Sequence, residues 1–168
     1  MMLMVGRPPA PTIEELVDRH YGAVYALSLR MLGGAADARD AAQETFLRAM
    51  KGLVTYDPSR PAAAWVLSIA ANLIRDRFRR HKPEPIEADD APVVLPPDAR
   101  LVRDEDRDRV LAAVGSLPFD LRIVVAMAFT QDRETAEIAD ALGISVNAVR
   151  IRLFRALARL RESLREAP

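Results

Sequence analysis

The chain has 168 residues, 24 basic and 24 acidic side chains, no net charge, and half of its residues hydrophobic but only 5% aromatic. That apolar fraction supports packed cores rather than disorder, and an Ala- and Leu-rich, aromatic-poor composition leans helical. The absence of cysteine excludes disulfides and thiolate metal sites, the two histidines (His20 and His81) have no partner at ligand spacing, and no apolar run approaches the ~20 residues that span a bilayer.

No metal or other cofactor is expected, nor membrane insertion. Met1–Pro11 lacks a signal-peptide core, so a cytoplasmic location is expected. The charge is unevenly placed. Residues 1–80 carry 11 basic and 8 acidic side chains, residues 81–108 carry 4 and 9, and residues 109–168 carry 9 and 7. Two mildly basic lobes therefore flank an acidic connector, an asymmetry that the whole-chain charge hides.

In chain order, the pattern predicts helices over about 13–32, 37–52 and 61–80. Gly33 and Gly34 end the first. The turn Asp57–Pro61 separates the second from the third and puts Pro61 at a first helical position. Residues 81–103, with Pro83, Pro85, Pro92, Pro96 and Pro97 among acidic side chains, read as a flexible linker. Helices follow over about 104–115, 118–130, 134–142 and 145–165. No strand alternation persists. The expected fold class is all-α, with two small helical domains, 1–80 and 104–168, on either side of the linker.

Two helices of the first lobe carry opposed stripes. In 37–52, Asp37, Asp40, Glu44, Arg48 and Lys51 share one face, while Ala42, Phe46, Ala49 and Met50 share the other. Such a polar stripe is ordinarily only the wet side of a helix. In 61–80, Ser68, Asn72, Arg75 and Arg79 line one face beside an apolar one of Trp65, Ile69 and Leu73. Arginine for phosphate and asparagine for a base edge suit a nucleic-acid strand. Trp65 sits in the apolar stripe and reads as core rather than as a stacking platform.

The second lobe contains TAEIADALGISVNAV over 135–149, which has the logic of a helix-turn-helix. Ala139 is small where helices would touch, Gly143 suits a left-handed helix end, and Ser145 is a good N-cap. Ile138, Leu142, Ile144 and Val149 would form a small core. On the helix that follows, Val146, Val149, Leu153, Leu157, Leu160 and Leu164 fall on one face. Asn147, Ala148, Ile151, Arg152, Arg155 and Arg159 fall on or near the other. Six basic residues against one acid between Arg150 and Arg165 fit a helix laid in a major groove, with Ile151 placed for a thymine methyl. The plainer alternative is an amphipathic helix with solvated arginines.

Together these segments resemble a known family. The run DARDAAQETFLRA over 37–49, YDPSRPAAAW over 56–65 and IAAN over 69–72 look like region 2 of extracytoplasmic-function sigma factors. Leu117-Pro118 and EIADALGISVNAVRIRLFRA over 137–156 look like region 4. The resemblance covers about 150 residues in the family's order. It implies a promoter-specificity subunit of RNA polymerase, without catalysis of its own, that binds core polymerase and promoter DNA and is held in check by an anti-sigma factor, in a stress or envelope response. It implies that the helix bearing Asp37, Asp40, Gln43, Glu44 and Arg48 docks on the polymerase. The turn bearing Tyr56, Asp57, Ser59 and Arg60, with the face of Asn72, Arg75 and Arg79, would take the −10 element. The −35 element would be read around Ser145, Asn147, Ala148, Arg150, Ile151, Arg152, Phe154, Arg155 and Arg159. The acidic linker resembles the family's connector through the polymerase channels.

Departures from the family pattern are also present. Ala62 and Ala63 stand where an aromatic and a polar residue are common, Ala71 where Arg is common, Glu134 at a usual capping Ser, and Ile151 at a common Ser or Thr. The alanines near the −10 face leave room for a sigma-like decoy that binds an anti-sigma factor without starting transcription. A stand-alone helix-turn-helix regulator would not need the Asp37–Arg80 pattern.

Overall fold

In the computed structural model, the described residues are 10–80, 104–130 and 133–166, excepting the side chains of 104–107, 130 and 166. The connector 81–103 lies outside them, and with it the linker expectation. These described residues form seven α-helices: α1 (Ile13–Leu32), α2 (Ala35–Gly52), α3 (Ala62–Arg80), α4 (Asp104–Gly115), α5 (Phe119–Thr130), α6 (Thr135–Leu142) and α7 (Val146–Glu166). No strand occurs among the described residues.

Helix boundaries follow local chemistry. Thr12 caps α1 in a reciprocal box: its hydroxyl accepts from the Glu15 N–H at 3.2 Å, and the Glu15 carboxylate accepts from the Thr12 N–H at 3.0 Å. Gly33 ends α1 with φ 84°. A 3-10 turn over Leu53–Thr55, not foreseen from the sequence, extends α2. Pro61 stands one position before α3 rather than inside it, and its carbonyl accepts the Trp65 N–H at 3.1 Å. Pro118 does the same for α5, accepting from Leu121 and Arg122.

The N-terminal lobe packs α1, α2 and α3 against one another; the C-terminal lobe packs α7 against α4, α5 and α6. The two lobes also lie on each other, α6 along α3 and α1 beside α5. One apolar cluster runs from Leu16, Leu27 and Ile74 through Ile123 and Met127 to Ile138. The reason lies in α3. The expected single apolar stripe is too narrow: Ala64, Val66, Leu67, Ala70, Ala71, Leu73 and Ile74 are all buried, whereas Trp65 and Ile69 are half-buried. The helix is covered on most of its circumference, and its small alanines let neighbours approach closely. Ala71, which departs from the family pattern, is 1% exposed.

Candidate nucleic-acid interface

The helix-turn-helix is built as its residues suggest. The Glu137 carboxylate accepts from the Glu134 N–H at 3.1 Å, so the carboxylate of the first turn, rather than a serine, tidies the start of α6. Gly143 takes φ 65°, ψ 35° and closes α6, with its N–H on the Asp140 carbonyl at 3.3 Å. The Ser145 hydroxyl accepts the Ala148 N–H at 3.1 Å and starts α7. Ile138 and Val149 are fully buried, and Leu142 and Ile144 pack at the edge of the same core.

On α7 the inward face is Val149, Leu153, Ala156 and Leu160. Leu157 was expected there but is 37% exposed, because Ala156 at 0% takes the inward position beside Leu117, Leu121 and Val125. Leu157 instead extends an outward apolar strip with Ile151 and Phe154, the latter 72% exposed. Asn147, Arg150, Arg155 and Arg159 are exposed on this helix. Arg152 leaves the outward set: it is half-buried and faces Asp120 of α5 at 3.8 Å.

Ahead of α3, residues 56–60 form a tight turn. The Asp57 carboxylate accepts from the Ser59 N–H at 3.0 Å and from its hydroxyl at 2.8 Å, a local bond that fixes the chain reversal. Tyr56, named in the −10 set, lies beneath this turn rather than on it. Its ring is buried against Trp65, centroids 4.7 Å apart, and its hydroxyl donates to the Arg60 carbonyl at 2.6 Å. Burial, and then the nearby Asp57 carboxylate, push its phenol above the ordinary range. Gly52 leaves space for the indole, since a Cβ there would come within 3.3 Å of it. On α3, Asn72 and Arg79 are exposed, and the Asn72 amide oxygen accepts from Arg75 at 3.1 Å.

The polar stripe of α2 is also present. Asp37, Asp40, Gln43 and Arg48 are exposed, and Glu44 is half-buried with its carboxylate 2.8 Å from Arg48. Behind them Ala38, Ala41, Ala42, Thr45, Phe46 and Ala49 are buried, and the Thr45 hydroxyl is satisfied by the Ala41 carbonyl at 2.7 Å. Met50 was expected on this inner stripe and is 48% exposed, outside the buried set of Ala38, Ala41, Ala42, Thr45, Phe46 and Ala49.

Comparison with known proteins bears on this arrangement. The profile of Sigma-70 region 2 matches residues 16–84, and that of Sigma-70, region 4, matches residues 107–160. The ECF RNA polymerase sigma factor SigW of Bacillus subtilis is 32% identical over 166 residues, covering 90% of this chain and 88% of SigW. SigL of Mycobacterium tuberculosis is 33% identical over 162 residues, 94% of this chain and 91% of SigL. The chain belongs to the extracytoplasmic-function sigma factors. Among solved structures, CnrH of Cupriavidus metallidurans, in complex with the cytosolic domain of CnrY, superimposes with a TM-score of 0.67 at 33% identity, covering 93% of this chain and 89% of CnrH.

As a sigma factor, the protein directs RNA polymerase to promoters. No helix among the described residues is long and apolar enough to cross a membrane. The two lobes carry the expected site residues on three separate surfaces: α2, the turn 56–60 with α3, and α7. Sequence reasoning missed two features of these surfaces. Leu47 and Val54, 50% and 93% exposed, join Met50 in an apolar margin beside the α2 stripe. Arg122 is buried at 3% exposure between the lobes. The signal for Arg122 was a lone cation in the apolar run 119–129, which periodicity alone does not distinguish from a solvated side chain.

Proposed function

We propose that the three surfaces divide promoter recognition among them. The exposed face of Asp37, Asp40, Gln43, Glu44 and Arg48 docks on core polymerase. The turn Asp57–Arg60, braced by Tyr56, joins Asn72, Arg75 and Arg79 in holding the −10 element. The outer face of α7, with Asn147, Arg150, Ile151, Phe154, Arg155 and Arg159 above the Ser145 cap and Ala148, reads the −35 element. Arg152 contributes charge from the side of this face. The protein acts by binding and has no bond chemistry of its own.

The observation that carries this reading is α7. A helix capped by Ser145 after a left-handed glycine presents exposed arginines and apolar side chains outward while its inner face holds a core. Arginine can bond a guanine edge in bidentate fashion, and an apolar group can meet a thymine methyl. The two lobes read two short elements, and joining them raises the effective concentration of the second contact.

An anti-sigma factor is the proposed inhibitor, and a stress or envelope response the proposed setting, in the cytoplasm. The support is the family and the complex in which CnrH, a relative at 33% identity, is held by a domain of another protein. The test is run-off transcription with core polymerase from a promoter library. Promoter-selective transcripts are expected; a protein that binds core polymerase yet yields none is the decoy instead.

A further inference from the structure

We propose that Asp120 of α5 is a specificity-determining residue: its carboxylate limits how far Arg152 of α7 can grip DNA, which keeps sequence-independent binding weak. The inference rests on the −35 assignment above and deepens it, naming a residue outside α7 that sets how selectively that helix reads.

The placement comes from the core. Leu121, Val125 and Ala156 are buried together, with Leu153 and Leu160 packed against them, so α5 and α7 meet in a fixed register. Asp120 directly precedes Leu121, and Arg152 directly precedes Leu153. Two leucines that share a core thus bring an acid and a base side by side at its rim. Asp120 lies in the first turn of α5, where unpaired N–H groups and the positive end of the helix dipole favour a carboxylate. The backbone is pinned there as well, the Leu121 N–H donating to the Pro118 carbonyl at 3.0 Å. The acid is therefore the fixed member of the pair, and the long arginine is the one that adjusts.

Arg152 stands two turns before Arg159 on the same flank of α7. Arg155 and Arg159 are exposed, whereas the Arg152 side chain is 27% exposed and its guanidinium lies 3.8 Å from Asp120, itself 59% exposed. At that separation the two charges attract without a hydrogen bond between these atoms, and in contact with solvent the attraction is weak. Asp120 thus draws Arg152 toward α5 and offsets its charge without locking it.

The consequence falls unequally on two modes of DNA binding. Sequence-independent binding comes from phosphates, and nothing fixes its register, so a free guanidinium always finds one. In the specific complex the base contacts set the register, and a cation on the flank gains only where a phosphate stands within reach. Restraining Arg152 therefore weakens the first mode more than the second and widens the gap between them.

The test uses the full-length protein and two labelled duplexes, read by fluorescence anisotropy over a series of salt concentrations. One duplex bears the −35 sequence that the run-off library ranks first, and the other a scrambled sequence of the same composition. Asp120→Asn keeps the shape at an exposed position and should leave helicity and Tm nearly unchanged. Its affinity for the scrambled duplex should rise about three- to fivefold, the upper end of what a solvated ion pair withholds. The rise on the −35 duplex should be smaller, so that the ratio of the two affinities falls. The salt slope on the scrambled duplex should steepen by up to about 0.9, one added phosphate contact. Asp120→Glu, which keeps the charge, should keep the wild-type ratio. Asp120→Asn/Arg152→Ala should bind the scrambled duplex no better than Arg152→Ala alone. An unchanged or larger ratio in Asp120→Asn would overturn the proposal. So would a gain of the same size in the Arg152→Ala background, because the carboxylate would then repel DNA directly rather than through Arg152. Arg159→Ala separates the two levels of the argument. If it weakens both duplexes while Asp120→Asn changes neither, the proposal alone falls; if it too changes neither, the −35 assignment of α7 falls with it.

Discussion

The Tyr56 hydroxyl donates to the Arg60 carbonyl at 2.6 Å, which makes a buried ring the brace of the exposed turn between α2 and α3. Tyr56→Phe keeps the ring against Trp65 and deletes only that bond. The expected loss is about 0.5–1.5 kcal/mol of stability, a fall in Tm of a few degrees, about 2–4 °C per kcal/mol for a chain of this size. Promoter opening should weaken more than −35 binding, because the loosened turn carries Ser59 and Arg60. Permanganate footprinting of the open complex beside duplex −35 binding checks this; equal losses in both would deny the turn a special role.

The α2 stripe yields a second expectation. Asp40 is exposed, and Glu44 pairs with Arg48 on the surface at 2.8 Å, an interaction worth little to the fold. Asp40→Arg/Glu44→Arg should therefore leave helicity and Tm nearly unchanged. Affinity for core polymerase should fall on the order of tenfold, about 1.4 kcal/mol. Fluorescence anisotropy with labelled protein measures it, and an unchanged affinity would move the dock to another face.

His20 on α1 predicts a pH dependence. Partial burial, then the positive charges of Arg133 and Arg19, hold its pKa below the ordinary 6.5. The folded protein thus binds this proton less readily than the unfolded chain. The stability contributed by neutral His20 is fully present above pH 6.5 and is lost as pH falls through that value toward the folded pKa. His20→Gln should flatten the decline in urea-unfolding stability between about pH 7 and pH 5. A decline of the same slope in the variant would assign the acid sensitivity to other groups.

Much of this architecture was legible before any coordinates, for identifiable reasons. Helix ends marked by strong local chemistry (Gly33, Gly143 and Ser145) stand where the residues place them, since capping and left-handed glycine depend on few neighbours. Faces were legible only where one side of a helix meets solvent, as on α2. The periodicity of α3 misled because the helix is covered on more than one side, and burial by a second lobe leaves no 3.6-residue signature. Leu157 and Ala156 exchanged places for a related reason: hydrophobicity favours the leucine inward, but close packing against Leu117 and Leu121 favours the alanine. Tyr56 entered only as part of the −10 set that the family resemblance implies, and only the fold shows that its ring lies beneath the turn. Arg60–Asp140 and Arg122–Arg30 join positions 80 and 92 residues apart, beyond the reach of any local pattern.

Arg155 and Arg159 lie one turn apart on α7, both exposed, and should differ in kind. Arg155 stands beside Ile151 and Phe154 near the middle of α7, one turn nearer than Arg159 to the N-terminal end that enters a major groove in helix-turn-helix docking. A guanidinium there can form two parallel hydrogen bonds to a guanine edge, worth roughly 1–3 kcal/mol of discrimination. Arg159 lies farther along the axis, where the helix leaves the groove floor and meets phosphate. Arg155→Ala should therefore blur −35 sequence preference, whereas Arg159→Ala should weaken all sequences about equally and reduce the salt slope by about 1. Neither side chain supports the core, so both proteins should melt within about 0.5 kcal/mol of wild type. Transcription from a −35 mutant library at two salt concentrations separates the two effects. If Arg155→Ala kept the wild-type ranking of −35 sequences, the bases would be read from another position on α7, with Arg150 and Asn147 the next side chains to change because both are exposed closer to the cap.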